Sequence, residues 1–424
     1  MPGDVGAAGG PGRPGPGAAE PRRPWQGRRV VLGVTGSIAA YKSAQIARDL
    51  TRLGAVVDVV MTTSARSFVG AITFEALTGS PVAGGILDEG RALDHIRLAR
   101  EADAICIAPA TADFIARAAG GRADDMLAAV VLAARGPVLV CPAMNDAMWT
   151  HPRTAANVEE LVRLGYRIVG PADGPLAHGE GSGPGRMEEP GVIVEHIGRA
   201  LGTEAAWRGR RVLVTAGPTR ERVDAVRTLS NRSSGRMGFA IAAAAWRRGA
   251  DVTLVAGPTS VPAPAGPSLH RVETADEMLA AVRDGLGAAD ILFMAAAVAD
   301  FRPVPAQGKL RRSDAPESLA LQPAPDVLLS TRDDRREGTA VVGFALETGD
   351  GRASAREKLR AKGLDLIVLN PADEAGAGFD AETNRVVILD ASGREEELPL
   401  LTKDEVAELL LDRAERLLAP RTWR

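Results

Sequence analysis

Two stretches of the chain share one pattern of apolar and polar positions. In RRVVLGVTGSIAAYKSAQIARDLTRLGAVVDVVMT (28–62) an apolar run of strand length meets a Gly-Ser break. It then continues as an amphipathic run of helix length and passes Gly54 into a second apolar run. GRRVLVTAGPTRERVDAVRTLSNRSSGRMGFAIAAAAWRRGADVTLVAG (209–257) repeats the plan with a longer insert between strand and helix. Each reads as a β-loop-α-β unit that opens a parallel sheet. Further apolar runs at 104–108, 137–141, 291–295, 341–345 and 365–369 have the character of strands covered by helices on both faces. The pattern predicts an α/β protein of two doubly wound, Rossmann-like domains, 28–200 and 207–424, joined near ALGTEAAWRG. A chain of 424 residues is too long for one ordinary core, which agrees with two. Residues 1–27 are dominated by Gly, Pro and Ala through residue 24 and read as a disordered leader with little to bury.

Charge and cysteine content narrow the function classes. Lys plus Arg number 51 against 54 Asp plus Glu, a net charge of −3, so nucleic acid held by bulk electrostatics is not an expected partner. Any anion must be met locally. Cys106 and Cys141 both lie in apolar segments without metal-ligand spacing, as in a protein of a reducing, cytoplasmic compartment. No apolar run reaches the roughly 18 residues of a membrane span, and the N-terminus lacks the apolar core of a signal peptide. Neither opening loop carries G-x-G-x-x-G or a P-loop, which disfavours a standard dinucleotide fingerprint and leaves mononucleotide binding open.

Candidate chemistry gathers where strands run out, the place where open α/β sheets bind ligands. Gly36 and Ser37 lie between strand and helix, where free backbone N–H groups attract a phosphate. A second polar rim follows at MTTSA (61–65) and a third at APATADFIAR (108–117), where Thr111 and Asp113 open a helix. Together the three rims outline a site for one phosphorylated ring cofactor, although helix capping accounts for each hydroxyl singly. His95 precedes a helical run and suits either proton transfer near neutral pH or a surface position. Asn145, in PAMNDAMW (142–149), is a substrate-holding amide or a turn residue. In the second domain, the insert 215–238 is rich in hydroxyls, Gly and Arg, and AAAVADFRPVPAQGKLRR (295–312) carries an acidic strand end and a basic cluster. Lys358 and Lys362 are four apart, on one helix face, a spacing suited to two ammonium groups converging on a triphosphate.

GVTGSIAAYK, DHIRLA, APATADFIAR, PAMNDAMW and GSGPGRM, in this order, resemble the flavin-dependent cysteine decarboxylases of coenzyme A biosynthesis. The sequence after them resembles the partner phosphopantothenate–cysteine ligase, so the resemblance covers the chain from residue 28 to its C-terminal region. It implies FMN against Gly36, Ser37, Thr62, Thr63 and the loop Ala108, Pro109, Ala110, Thr111 and Asp113. It further implies His95 as catalytic histidine, Asn145 as the amide that grips the substrate, and Met148 beside it. In the ligase half it implies Asn231 as a catalytic asparagine with Arg227 on the same loop, and Asp300 and Lys309 on the nucleotide and its phosphates. Pro325, Asp326, Val327, Leu328, Phe344, Lys358 and Lys362 then complete the nucleotide site.

The implied function is ligation of L-cysteine to 4'-phosphopantothenate through an acyl-cytidylate made from CTP with Mg2+, followed by FMN-dependent decarboxylation to 4'-phosphopantetheine. Base choice does not follow from these residues. The implied assembly is a homo-oligomer with trimeric decarboxylase and dimeric ligase contacts, such as a dodecamer. One departure stands out: the flap reads LAHGEGSGPGRM (176–187), with His178 where many relatives carry a cysteine that protonates the intermediate. A histidine can donate that proton. The competing reading keeps only the ligase, with the N-terminal domain an impaired or regulatory FMN-binding module.

Overall fold

The computed structural model describes residues 23–85, 93–179, 181–202, 206–306, 308–311, 318–371 and 381–418. Its first half is built on a five-stranded parallel sheet in the spatial order Val56–Met61, Arg29–Val34, Ala104–Ala110, Val138–Pro142, Arg167–Ile168. The chain leaves the strand Arg29–Val34 to one side and comes back on the other, so the order reverses between that strand and Ala104–Ala110. The second half holds an eight-stranded sheet. Six parallel strands run Ser268–Arg271, Asp251–Ala256, Arg211–Ala216, Ile291–Met294, Ala340–Glu347, Leu366–Pro371. Val387–Asp390 and Glu395–Glu397 extend it antiparallel. Here the order reverses between Arg211–Ala216 and Ile291–Met294.

Helices cover both faces of both sheets, which is why the strands are apolar throughout. Ala104–Ala110 is buried at every position. The helix Ala40–Arg52 buries Ala40, Ser43, Ile46, Ala47 and Leu50, an i, i+3, i+4 stripe. It packs with Pro190–Leu201 on one face of the first sheet, while Phe114, Ile115 and the apolar helix Met126–Leu132 fill the other. Each fully buried Leu, Ile or Phe contributes about 1.5–3 kcal/mol. In the second half, the helices Arg236–Arg247 and Lys403–Glu415 share one face, and Ala275–Leu286 and Arg352–Ala361 the other.

Three features differ from the sequence reading. Trp25, assigned to the leader, is only 7% exposed and packs into the first core; its backbone N–H donates to Leu53 O at 3.0 Å. An indole of that size is buried because the crevice beside Gly198 admits it: a Cβ there would lie 2.6 Å from Trp25 Cζ2. The rest of the proposed leader, 1–22, lies outside the described residues. Secondly, part of the insert 215–238 is a hairpin of Arg220–Arg222 and Thr228–Ser230 rather than a plain loop. Thirdly, the flap is a hairpin too, Ala172–Pro175 with Ser182–Arg186.

The halves meet along Pro190–Leu201 and Arg236–Arg247. Arg247 bonds Glu195 of the first half and Glu408 of the second, both at 2.8 Å, and Arg248 bonds Glu408 at 2.7 Å and Asp412 at 2.8 Å. Burial works against ionisation of Glu408, yet the two guanidinium groups hold its carboxyl below the usual range. The Glu195 carboxyl, whose burial outweighs Arg247, is pushed up instead. Arg199 reaches across to the carbonyls of Trp246 and Ala250. Glu408→Ala leaves two buried cations short of their carboxylate and is expected to cost about 3–5 kcal/mol. Calorimetry should show a lower unfolding midpoint, and an unchanged one would deny the network a structural role.

Candidate active sites

The front site sits at the reversal point of the first sheet. Thr35, one residue beyond the strand Arg29–Val34, donates its hydroxyl to Pro109 O at 2.8 Å and accepts from Thr111 N at 3.1 Å. This single side chain locks the first rim to the third. Thr111 Oγ1 caps its own helix by accepting from Phe114 N. Gly36 joins the first rim to the second: a Cβ there would fall 2.4 Å from Ser64 Oγ. Thr62 is buried, within 3.1 Å of Ser64 Oγ, while Thr63 and Ser64 are exposed at the rim. Ser37 is half-buried, and its Oγ accepts from Ala39 N. Ala108, Pro109 and Ala110 form the end of the central strand, with Ser43 Oγ bonded to Ala108 O. Asp113 is exposed at the start of the helix Ala112–Ala119 and pairs with Arg117, one turn along, at 3.1 Å. The signals missed in the sequence are Thr35 and Ser64, both adjacent to residues already singled out.

Asn145 caps the short helix Asp146–Trp149, its Oδ1 accepting from Ala147 N at 2.8 Å. The turn reading is therefore right as far as it goes, and the amide Nδ2 remains to donate. Met144 packs against the core, and Met148 is 49% exposed. The flap hairpin crosses directly over this turn. Met144 N donates to Gly185 O at 2.9 Å, and a Cβ on Gly185, whose φ is +135°, would lie 2.3 Å from Met144 O. Only glycine allows that approach. Lys42 fixes the flap's far end, donating to Met187 O at 3.2 Å and Glu189 at 3.1 Å. His178 is exposed near the hairpin tip, in the turn where Leu176 N bonds Gly181 O. His95 is the second residue of the helix Asp94–Glu101; its Nδ1 is sealed from solvent and has no hydrogen-bond partner among the described residues. A buried polar atom left unmatched calls for an explanation, and a functional role is one. Cys106 and Cys141 lie in the core with sulfurs 3.8 Å apart, and burial together with the neighbouring thiol pushes the Cys141 thiol up.

The rear site is a cavity of about 600 Å³ at the reversal point of the second sheet. Thr215 plays the part of Thr35: its hydroxyl accepts from Ala296 N at 3.1 Å on the neighbouring strand's extension. Asn231 donates from Nδ2 to Ala297 O at 3.1 Å and Val298 O at 3.2 Å, so Oδ1 is its remaining hydrogen-bonding atom. The cavity gathers Asn231, Asp300, Phe344, Lys358, Lys362 and the segment Pro325, Asp326, Val327 and Leu328. The two lysines do not present bare charges, as their spacing had suggested. Lys358 pairs with Glu347 at 2.6 Å and Lys362 with Asp326 at 2.8 Å. The Lys358 and Ser354 hydrogen bonds hold the Glu347 carboxyl below its usual range. Burial opposes ionisation of Asp326, yet Lys362 and the Leu329 N–H keep it low as well.

Arg227 and Lys309 are not among the residues lining the cavity. Arg227 belongs to a bonded cluster around Asp224, which accepts from Val226 N, Arg227 N and the N–H of Leu310, the residue after Lys309. These backbone bonds and the Arg227 guanidinium lower its carboxyl to about 2. Arg227 also donates to Leu310 O, so the neighbour of Lys309 is held by the hairpin that carries Arg227.

Two family models match, one for each half. The model described as Flavoprotein covers residues 18–202, and that of the DNA/pantothenate metabolism flavoprotein C-terminal domain covers 207–417. The coenzyme A biosynthesis bifunctional protein CoaBC of Vibrio cholerae is 42% identical over 390 residues, 91% of this chain and 97% of its own. The chain belongs to the CoaBC family.

Like its family, the enzyme is bifunctional in coenzyme A biosynthesis, a phosphopantothenoylcysteine decarboxylase in its flavoprotein half and a ligase in its C-terminal half. Two solved structures resemble the flavoprotein half. A PPC decarboxylase mutant complexed with pantothenoylaminoethenethiol is 30% identical, covering 40% of this chain and 96% of that one, TM-score 0.36. The FMN-dependent cysteine decarboxylase SpaF is 35% identical, covering 42% and 97%, TM-score 0.36. In this chain, Gly185→Ala should part the flap from the Asn145 turn. A fall of roughly tenfold or more in CO2 release is expected from such a displacement, with pyrophosphate release by the same sample unchanged. Equal loss of both would mean a global defect.

Proposed function

We propose that the C-terminal domain joins L-cysteine to 4'-phosphopantothenate through an acyl-nucleotide made from CTP, and that the N-terminal domain decarboxylates the adduct with FMN. The observation that carries this reading is the pair of strand-tip clefts. Each lies at a sheet's reversal point and is crossed by a buried threonine hydroxyl; the rear one is bordered by Arg236, Lys358 and Lys362. FMN fits the front cleft by its loops: Gly36, Ser37, Thr62, Thr63 and the 108–111 segment form a half-buried polar rim of phosphate-binding character. When bound, it supplies the reversible oxidation of the thiol-bearing carbon that gives the departing carboxylate's electron pair somewhere to go.

The chain's own residues do the rest. Asn145 donates from Nδ2 to the substrate while its Oδ1 stays on Ala147 N. His95 holds or moves a proton at the reacting end. His178, on the flap, takes the place of the family's cysteine and returns a proton to the enethiol carbon. In the rear cavity a carboxylate becomes an electrophile only after activation, and Lys309 stabilises the departing pyrophosphate when its loop folds over the nucleotide. No group of three or more His, Cys, Asp and Glu side chains that could hold a metal occurs among the described residues; Mg2+ enters on the triphosphate. Ile38, Tyr41 and Ile72, each more than 60% exposed beside the front site, support a homo-oligomer in which another copy covers them.

His95→Asn is expected to abolish CO2 release from phosphopantothenoylcysteine and to spare pyrophosphate release; unchanged CO2 evolution removes His95 from the chemistry. Lys309→Gln should do the reverse, suppressing acyl-nucleotide formation about a hundredfold with decarboxylation intact. For the flap, His178→Ala should release an oxidised thiol intermediate, seen by mass spectrometry. Normal turnover without that species would assign the proton to another donor.

A further inference from the structure

One buried carboxylate of the ligase half is none of the candidate residues read from the sequence. Asp224 sits in the turn between the hairpin strands Arg220–Arg222 and Thr228–Ser230, with its side chain 0% exposed. Its two oxygens do different work. Oδ1 accepts from Val226 N and Arg227 N, both at 2.7 Å, which closes the turn locally as Asp and Asn side chains commonly do. Oδ2 accepts from Arg227 Nη1 at 2.5 Å and, from 86 positions along the chain, Leu310 N at 3.2 Å. The bond from Val226 N, with the others, holds the carboxyl at about 2, so near neutral pH neither oxygen carries a proton and both accept.

The long-range bond falls beside a residue of the proposed chemistry. Leu310 follows Lys309, and the backbone on both sides of that lysine is tied to the same turn. Ala306 N donates to Val223 O at 3.0 Å, Ala225 N to Gly308 O at 3.4 Å, and Arg227 Nη1 to Leu310 O at 3.1 Å. Lys309 itself stays exposed between these pinned neighbours. The other arm of the turn runs through Thr228–Ser230 to Asn231, which lines the rear cavity and donates to Ala297 O and Val298 O. One carboxylate thus relates the backbone of Lys309 to that of Asn231. Turn closure gives no reason for a carboxylate in particular, since asparagine closes such a turn through its own Oδ1. Its Nδ2, however, is a donor and has nothing to offer Leu310 N or the Arg227 guanidinium. The second oxygen is what the turn does not need and the Lys309 segment does.

We propose that Asp224 is a positioning residue of the ligase, clasping the backbone around Lys309 to the hairpin that ends at Asn231, so that both side chains work from one frame. The proposal rests on the reading of Lys309 as the group that stabilises departing pyrophosphate. In the full-length chain, Asp224→Asn keeps the Oδ1 bonds of the turn and loses the Oδ2 clasp. Pyrophosphate release is measured for it, for Lys309→Gln and for the double variant. kcat should fall roughly tenfold to a hundredfold in Asp224→Asn, as for a misplaced group, while CO2 release stays at the parent rate. In the Lys309→Gln background the same substitution should cost nothing further, because a residue that acts through Lys309 has nothing left to position. An unchanged kcat, or an equal loss in both backgrounds, overturns it. Hydrogen exchange on the parent enzyme checks the clasp without any variant: the Leu310 amide should exchange as slowly as those of Val226 and Arg227, and the rate of a free loop overturns the proposal. Should Lys309→Gln release pyrophosphate at the parent rate, the Lys309 reading falls and this proposal with it. Loss in Lys309→Gln with none in Asp224→Asn removes the proposal alone.

Discussion

A threonine hydroxyl at the point where each sheet reverses its strand order is the constraint on which both sites depend. Strands on either side of that point send their connections to opposite faces, so the loops at their tips diverge and open a crevice. Backbone bonds cross it, Thr35 N to Pro109 O at 3.3 Å in front and Ala297 N to Gly217 O at 2.9 Å behind, and side-chain bonds brace it further. Thr35 Oγ1, between Pro109 O and Thr111 N, does so in front, and Thr215 Oγ1, on Ala296 N, does so behind. Both hydroxyls are buried, with their residues no more than 2% exposed, where a hydrogen bond is strong and an unmade one costly. The rims of either site are thus held in register before any ligand arrives.

The two crevices are furnished differently, as their chemistries require. The front one offers backbone and small hydroxyls at its rims. The rear one is charged, and its lysines are already engaged. Glu347 and Asp326 keep Lys358 and Lys362 extended along defined directions, which lowers the ordering cost when a polyanion binds. Any polyanion that enters must compete with these carboxylates for the ammonium groups.

Joining the halves is a matter of buried charge rather than of linker composition. The seam between Pro190–Leu201 and Arg236–Arg247 places Arg247 between Glu195 and Glu408. A desolvated guanidinium tolerates only geometries that keep its carboxylates in reach. The first turn of Arg236–Arg247 lines the rear cavity while its last residues make the seam, so one helix links the ligase site to the decarboxylase domain.

Local patterning carried the architecture because strand and helix periods are properties of short windows: the repeated strand-break-helix units, the doubly apolar strands and the glycines at their tips all read directly. The rims with Gly36, Ser37 and Thr111 were legible for the same reason. The pairing of Asp113 with Arg117 was not legible, because side-chain packing one helical turn away decides it. Trp25 lay hidden because a low-complexity stretch precedes it, and the crevice that receives it is formed by Gly198, far along the chain. The charge state of the rear cavity was equally out of reach, since Glu347 and Asp326 meet their lysines only after strand and helix have crossed. What the sequence determined by itself was the list of chemical groups and the two scaffolds that carry them. Which groups are spent on one another, and which, like His95 Nδ1, are left without a partner among the described residues, was decided by the tertiary structure, because pairing depends on distances that only long-range packing sets.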